Sequence, residues 1–339
     1  GGVPWGEWMG PNIQDNATGV FWGTFTLFAC TTASIMSGSV IERIRLAAFI
    51  VLAVVLGSVA WILIAAWGWH ASGWMVTKWG YHDFGASGVV HIVSGFFALG
   101  VLINLGPRIG RFNADGSANV IRGHSLPMTL TGLMLIVVGF FGFLGGCLWY
   151  AGTDQWTNIY GGPTNLSAIC FNTLMGVAGG VIGGYAMTRD PFWMMSGALC
   201  GIISVAAGMD LYYPGLTFVL AFIGGVMGPI FAGWLAKCRI DDAVGAVSVH
   251  GFCGILGLLF AGIFLSSYPP LGEGIPAVSF GGQFMGMIVC IIVGFVPGYV
   301  ISLIFKMMGI LRASDGVQLA GMDQEVAAVA YPESIQSDA

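Results

Sequence analysis

Two histidines, His91 and His250, lie deep inside apolar runs, and each follows an aspartate by eight residues. The segments read Asp83-Phe-Gly-Ala-Ser-Gly-Val-Val-His91 and Asp242-Ala-Val-Gly-Ala-Val-Ser-Val-His250. An imidazole changes charge near neutrality, and its two ring nitrogens can accept one hydrogen bond while donating another. A titratable group in a membrane span is costly and marks a functional site by default. Two in matched settings suggest a duplicated architecture with one histidine from each half, as in transporters built from inverted repeats. Three uses stay open for such a pair: interhelical hydrogen bonds, handling of a small polar molecule, or axial ligation of a haem. That only one pair reaches the interior argues against haem.

The elements that must position them are membrane helices. Of 339 residues, 56% are hydrophobic and 8% charged, against about 25% charged in a soluble domain. The 55 glycines suit close helix packing. Apolar runs long enough to cross a bilayer, roughly 17–25 residues, fall at about 18–41, 46–69, 84–106, 126–150, 164–188, 191–209, 213–236, 243–266 and 277–307. The expected fold is an all-α integral membrane protein, a polytopic helix bundle of nine spans with inverted-repeat, pseudo-twofold architecture. Residues 1–308 form its transmembrane domain and 309–339 a polar tail.

Charge orients the bundle. Arg43, Arg45, Arg108, Arg111, Arg122, Arg189, Lys237, Arg239, Lys306 and Arg312 fall on one side of this alternation, and only Lys78 on the other. The positive-inside rule makes the arginine-rich side cytoplasmic. The tail is then cytoplasmic and the membrane the cell (inner) membrane. His91 enters from outside and His250 from inside, each about 12 Å deep at 1.5 Å per residue. In a hydrocarbon core of roughly 30 Å their depths differ by only about 6 Å, so the two could touch near the midplane.

Asp83 and Asp242 stand at helix starts, where a carboxylate caps backbone N–H groups and suits the positive end of the helix dipole. Asp83, on the outer side, could also stabilise a cation. His70, His82 and His124 lie at span ends or in loops and read as interfacial residues. The seven cysteines show no CxxC spacing. They read as small core residues, with neither a zinc site nor a disulfide framework. No basic cluster suits nucleic acid. No catalytic triad, metal cluster or phosphate loop is present, so neither an enzyme, a metal nor a cofactor is expected.

Four stretches resemble the ammonium transporter (Amt/Rh) family: Ser39-Val-Ile-Glu42-Arg43-Ile-Arg45, Asp83 through His91, Gly139-Phe-Phe-Gly-Phe143, and Ile240-Asp-Asp242 through Ser248-Val-His250-Gly251. They keep the family's order over most of the chain. The resemblance implies eleven helices, of which the nine spans here match the last nine, as in a chain lacking the first two. It also implies a homotrimer in the lipid bilayer with one pore per subunit. His91 and His250 become the twin pore histidines, and Phe28 and Phe143 the stacked pair closing the pore from outside. Trp69, Phe140 and Cys147 become the outer recruitment site for ammonium. Phe140, Leu144 and Cys147 replace a tryptophan, an asparagine and a serine common at these places, making that site more apolar. The tail lacks the family's His-Gly-Glu, which argues against regulation by a PII-type signalling protein.

The implied function is ammonium transport: recruitment outside, then conduction of ammonia, with or without the proton, past the two histidines. A sensor, a haem protein carrying electrons and a Rhesus-type gas channel are the alternatives. The Asp83 motif is more like that of bacterial Amt proteins.

Overall fold

The computed structural model describes residues 16–150, 156–269 and 274–323. Within a bilayer every backbone polar group must be satisfied internally, so the apolar runs become helices. In chain order these are α1 Asn16–Val40, α2 Leu46–Gly68, α3 Trp74–Trp79, α4 Ser87–Leu105 and α5 Leu126–Gly145. There follow α6 Leu166–Thr188, α7 Pro191–Gly208, α8 Pro214–Lys237, α9 Val247–Phe264, α10 Phe280–Met307 and α11 Asp315–Ala320. Among the described residues, eight of them (α2 and α4 to α10) are long and apolar enough to cross a membrane. That is one fewer than the nine runs. The first run forms α1, whose 25 residues span about 37 Å, long enough to cross a hydrocarbon core of roughly 30 Å.

Starts and breaks follow the local chemistry. Ser125, Asn165 and Ser279 accept from the backbone N–H groups of Met128, Ala168 and Gly282, capping α5, α6 and α10. Asp190 caps α7 by accepting from Phe192 and Trp193, with Pro191 at the first helical position, where its missing N–H costs nothing. The fourth run, expected to reach residue 150, stops as a helix at Gly145. After it comes a small antiparallel sheet, β1 Leu148–Tyr150, β2 Trp156–Asn158 and β3 Pro163–Thr164, in the order β1-β2-β3. Leu148 faces Asn158, and Thr157 faces Pro163. Strands this short carry no readable alternation, so β1 reads as the end of the fourth apolar run.

Glycine sets how closely helices approach. Helix α4 is 89% buried, against 11% for α5, so α4 is the central helix. It crosses α9 at Gly95, where an added Cβ would collide with the backbone of Gly251. That crossing lies one turn past His91 and next to His250. On α6, a Cβ on Gly180 would strike the Gly197 carbonyl of α7, and one on Gly225 of α8 would strike the Gly180 carbonyl. Small residues that let backbones touch drive association where lipid offers no hydrophobic gain.

The tail is less free than its polarity implied. Beyond α10, the Arg45 N–H donates to the Leu311 carbonyl (3.1 Å), and the Ala313 N–H to the Arg43 carbonyl (2.9 Å). The Arg312 guanidinium donates to the carbonyls of Leu105 (3.0 Å) and Pro107 (2.7 Å). Tail residues from Gln324 onward lie outside the described residues. The cysteines also divide: Cys147, Cys200, Cys253 and Cys290 are buried, but Cys30 and Cys238 are exposed and Cys170 is half-buried. They are not all core residues, because helix faces turned outward carry them as readily as any small apolar group.

Gly95→Ala should force α4 and α9 apart, at about 1–3 kcal/mol for overpacking. Gly233→Ala, where a Cβ meets nothing within 4 Å, should be neutral. Thermal unfolding of the two variants in detergent checks this; equal midpoints would contradict the close crossing.

Candidate functional site

Each half of the site is built by the same local sequence. Three residues past Asp83, Ala86 sits at φ +70°, and three past Asp242, Gly245 sits at φ +79°. Both are in the left-handed region, which glycine adopts freely and alanine only with strain. Five residues beyond each of them comes a histidine. In both cases the backbone there is wound wider than an α-helix, with π-type turns over Ser87–Ile92 and Val247–Phe252. Such turns recur at functional sites because they re-aim a side chain without ending the helix.

The two aspartates hold these turns. Asp83 Oδ2 accepts from the N–H groups of Gly88 and Val89 (both 2.9 Å) and from the Tyr81 hydroxyl (3.1 Å). Asp242 accepts from the N–H groups of Ala246 (3.0 Å) and Val247 (2.7 Å) and from the Ser39 hydroxyl (2.8 Å). Asp83 is fully buried. Its N–H donates to the Tyr160 hydroxyl (3.1 Å), which in turn donates to the Gly68 carbonyl (2.9 Å). Its carbonyl accepts from the Trp69 indole (2.6 Å).

The crossing of α4 and α9 then brings the histidines together. His91 Nδ1 and His250 Nδ1 lie 3.0 Å apart, with the rings 5.1 Å centre to centre and 26° from parallel. Two nitrogens at this distance require one to donate and the other to accept, so one proton lies between the rings. His91 Nε2 is buried without a hydrogen-bond partner among the described residues.

Both histidines line a cavity of about 880 Å³ with Phe28, Phe140, Phe143 and Ser196. Phe143 stacks on His91 at 5.7 Å and 29°. Phe28 meets Phe143 edge-on, at 4.4 Å and 72°, and packs at 4.8 Å against Trp69. The aromatic pair is therefore edge-to-face rather than stacked, the arrangement ring quadrupoles favour. Trp69, Phe28, Phe143, His91 and His250 form one continuous column of rings.

Four residues have surroundings other than those expected. Phe140, three residues before Phe143, lies one helical turn away, beside His91 at 6.3 Å rather than beside Trp69. Cys147 is fully buried, its thiol directed at its own helix, 3.5 Å from the Phe143 carbonyl. Trp69 is buried under Phe25, Phe28 and Trp61. His82, expected at an interface, is buried and bonded through Nε2 to Asp210 Oδ1 at 3.1 Å. His70 is exposed, and so is His124.

A second cluster anchors the other end. Asp241, next to Asp242, is buried and accepts from the Arg108 backbone and guanidinium (2.9, 2.8 and 3.1 Å) and from Arg111 (3.1 Å). The fully buried Arg43 guanidinium lies 3.9 Å from its carboxylate. Burial alone would raise the Asp241 carboxyl; the hydrogen bonds from Arg108 and the charges of Arg43 and Arg108 outweigh it, holding the group below its ordinary value. No group of three or more potential metal ligands occurs among the described residues.

The fold belongs to a known class of membrane proteins. The sequence profile described as Ammonium Transporter Family matches residues 5–331, and the chain belongs to that family. It is 33% identical to ammonium transporter Amt2 of Methanocaldococcus jannaschii over 335 residues, covering 97% of this chain and 75% of that one. Amt2 of Archaeoglobus fulgidus is 31% identical over 355 residues, covering 97% and 74%. Among solved structures, one titled Sensor Amt Protein superposes with a TM-score of 0.78 at 28% identity, over 90% of this chain and 75% of that one. The chain is thus a multi-pass membrane protein of a transporter family, not an enzyme.

A carboxylate held low stabilises the fold above its unfolded value, about 3.9, and loses that contribution as pH falls through the folded value. Asp241→Asn should cost about 3–5 kcal/mol by leaving Arg43 buried without its counter-charge. It should also flatten the stability profile below about pH 4. Unfolding midpoints from pH 3 to pH 7 check both; a variant as acid-sensitive as the parent would contradict the anchoring role.

Proposed function

We propose that the protein carries ammonium across the membrane along the column of rings from Trp69 to His250. The 3.0 Å contact between His91 and His250 inside an apolar cavity carries this reading. A bare ammonium ion entering such a cavity faces a desolvation cost of several kcal/mol. Burial favours the neutral form, so the ion is driven to give up its proton at the histidines, and the His91–His250 hydrogen bond passes that proton inward beside the ammonia. Phe28 and Phe143, which line the cavity, offer aromatic rings that attract a cation by about 0.5–2 kcal/mol, and Trp69 backs Phe28. Phe28 and Phe143 close the path to hydrated ions. The histidine pair, sharing one proton, then presents a ring nitrogen that accepts from ammonia or donates to it. Potassium has no proton to give up and meets too few oxygen ligands.

The same reading places the Lys78 end outside and the arginine-rich end, with residues 309–339, in the cytoplasm. Residues 1–308 are the transport domain, the cell (inner) membrane is its location, and a homotrimer is its assembly. Asp83 and Asp242 act as caps that orient the histidine turns. Phe140 packs the inner side of His91, and Cys147 supports the aromatic column from behind. PII-type regulation would depend on the tail beyond α11.

A sensor is the second reading. It is favoured by the likeness to the structure titled Sensor Amt Protein and by the pairing of Ala313 with Arg43, which ties the tail to a loop between spans.

Purified protein in proteoliposomes, pulsed with ammonium, should give a current absent with potassium. His91→Ala should lower that current at least about tenfold or admit potassium, since the variant removes a hydrogen-bonded group in a desolvated path. Unchanged selectivity in His91→Ala would contradict the histidine path. A parent protein that binds ammonium without moving it would favour the sensor.

A further inference from the structure

We propose that His82 is a positioning residue, whose bond to Asp210 holds the Asp83 turn and makes the transport path responsive to protons from the Lys78 end. This rests on the proposed transport function and orientation.

Symmetry between the two halves points to His82. Each capping aspartate is preceded by a buried ionisable residue in an ion pair. Before Asp242 that residue is Asp241, held by arginines, which stay charged throughout the neutral range. Before Asp83 it is His82, whose side chain is 2% exposed and whose Nε2 lies 3.1 Å from Asp210 Oδ1. The inner anchor is permanent near neutrality; the outer one contains the side chain that titrates there.

His82 joins four parts of the fold. Its N–H donates to Gln283 Oε1 on α10 (2.9 Å), and its carbonyl accepts from the same amide. Asp210, just past α7, accepts from Asn158 of β2 at its other oxygen (2.7 Å). The Asp210 carbonyl accepts from Thr164 of β3 (3.2 Å). The next residue is Asp83, which carries the Trp69 indole on its carbonyl and the His91 turn on its carboxylate. A change at the His82 ring is therefore one residue away from the group that holds both Trp69, at one end of the ring column, and the turn that carries His91.

Among the described residues, few ionisable groups surround His82. Asp210 faces it from the end of α7, and Asp83 from its own segment. Tyr160 packs on the ring at 5.3 Å from the β2–β3 turn. Tyr268, past α9, shares with His82 a small cleft bounded by Gly80 and Pro276, which offers a route for protons. Burial disfavours the charged ring, but the charge and hydrogen bond of Asp210, with Asp83 beyond, outweigh it and raise the imidazole above its ordinary value. The charged bond is therefore complete below that ordinary value, about 6.5. It is lost as pH rises through the raised value. A neutral ring still donates from Nε2, but to a buried carboxylate that now lacks its counter-charge.

The test compares ammonium currents of the parent, His82→Gln and Asp210→Asn in proteoliposomes, with outer pH varied from 5.5 to 9. The ratio of parent to variant current cancels the shift in ammonium itself. That ratio should fall about threefold to tenfold from the acid to the alkaline end, the range expected when a charged hydrogen bond gives way to a neutral one. A flat ratio for both variants, whatever the absolute loss, overturns the proposal. If the parent carries no current at any pH, the transport reading fails and the unfolding midpoint decides instead. The gap between parent and His82→Gln must then be wider at pH 6 than at pH 9, and an equal gap overturns the proposal. If neither variant folds, NMR of the parent decides. Titration of the His82 ring above the ordinary histidine value, with a concurrent shift of the Trp69 indole N–H, supports it; a ring that titrates without moving that signal overturns it.

Discussion

An imidazole inside a membrane is costly to leave without any hydrogen-bond partner, and this fold is arranged to give each of two histidines one. His91 and His250 satisfy one nitrogen each by meeting the other at 3.0 Å. That contact needs two helices to cross with backbones touching, which Gly95 and Gly251 permit. It also needs each histidine to leave its helix at the right angle, which the wide turns at Ser87–Ile92 and Val247–Phe252 provide. The turns in turn need their free N–H groups satisfied, and Asp83 and Asp242 do so. Removing any one layer leaves buried polar groups unpaired in a medium that cannot hydrate them.

The two halves solve this problem alike but anchor it differently. Ala86 and Gly245 take the same left-handed conformation at the same place relative to aspartate and histidine, so the repeat extends to the backbone. The anchors behind the aspartates diverge. One is an aspartate among three arginines, pinned further by the start of the tail. The other is a histidine against Asp210, wedged among α10, α7 and the small sheet. Equivalent frames thus face the two sides of the membrane with different chemistry, one fixed in charge and one titratable.

Much of this was legible in the sequence for a physical reason. A titratable residue in an apolar run stands out, and the equal spacing from Asp83 to His91 and from Asp242 to His250 revealed the repeat. Helical rise puts the two rings within about 6 Å in depth, and family likeness adds Phe28, Phe143 and Trp69, which the fold joins in one column. What stayed hidden depends on contacts between distant segments. His82 looked interfacial because its partner Asp210 lies 128 residues away; an aspartate in the otherwise apolar stretch before Tyr212 was the available signal. The outward or inward face of Phe140 and Cys147 depends on the rotation of α5, which an apolar run with aromatic residues on several faces does not specify. The strands after Gly145 were too short to show alternation.

The central claim is that one proton is shared between His91 and His250. Nitrogen NMR of the histidine-labelled protein in lipid tests it most directly, with His250→Ala assigning the signals. One protonated and one unprotonated Nδ1 are expected, linked by a cross-peak through the shared hydrogen that is lost in His250→Ala. Two rings protonated at Nε2 alone, with no cross-peak and independent titration, would contradict it.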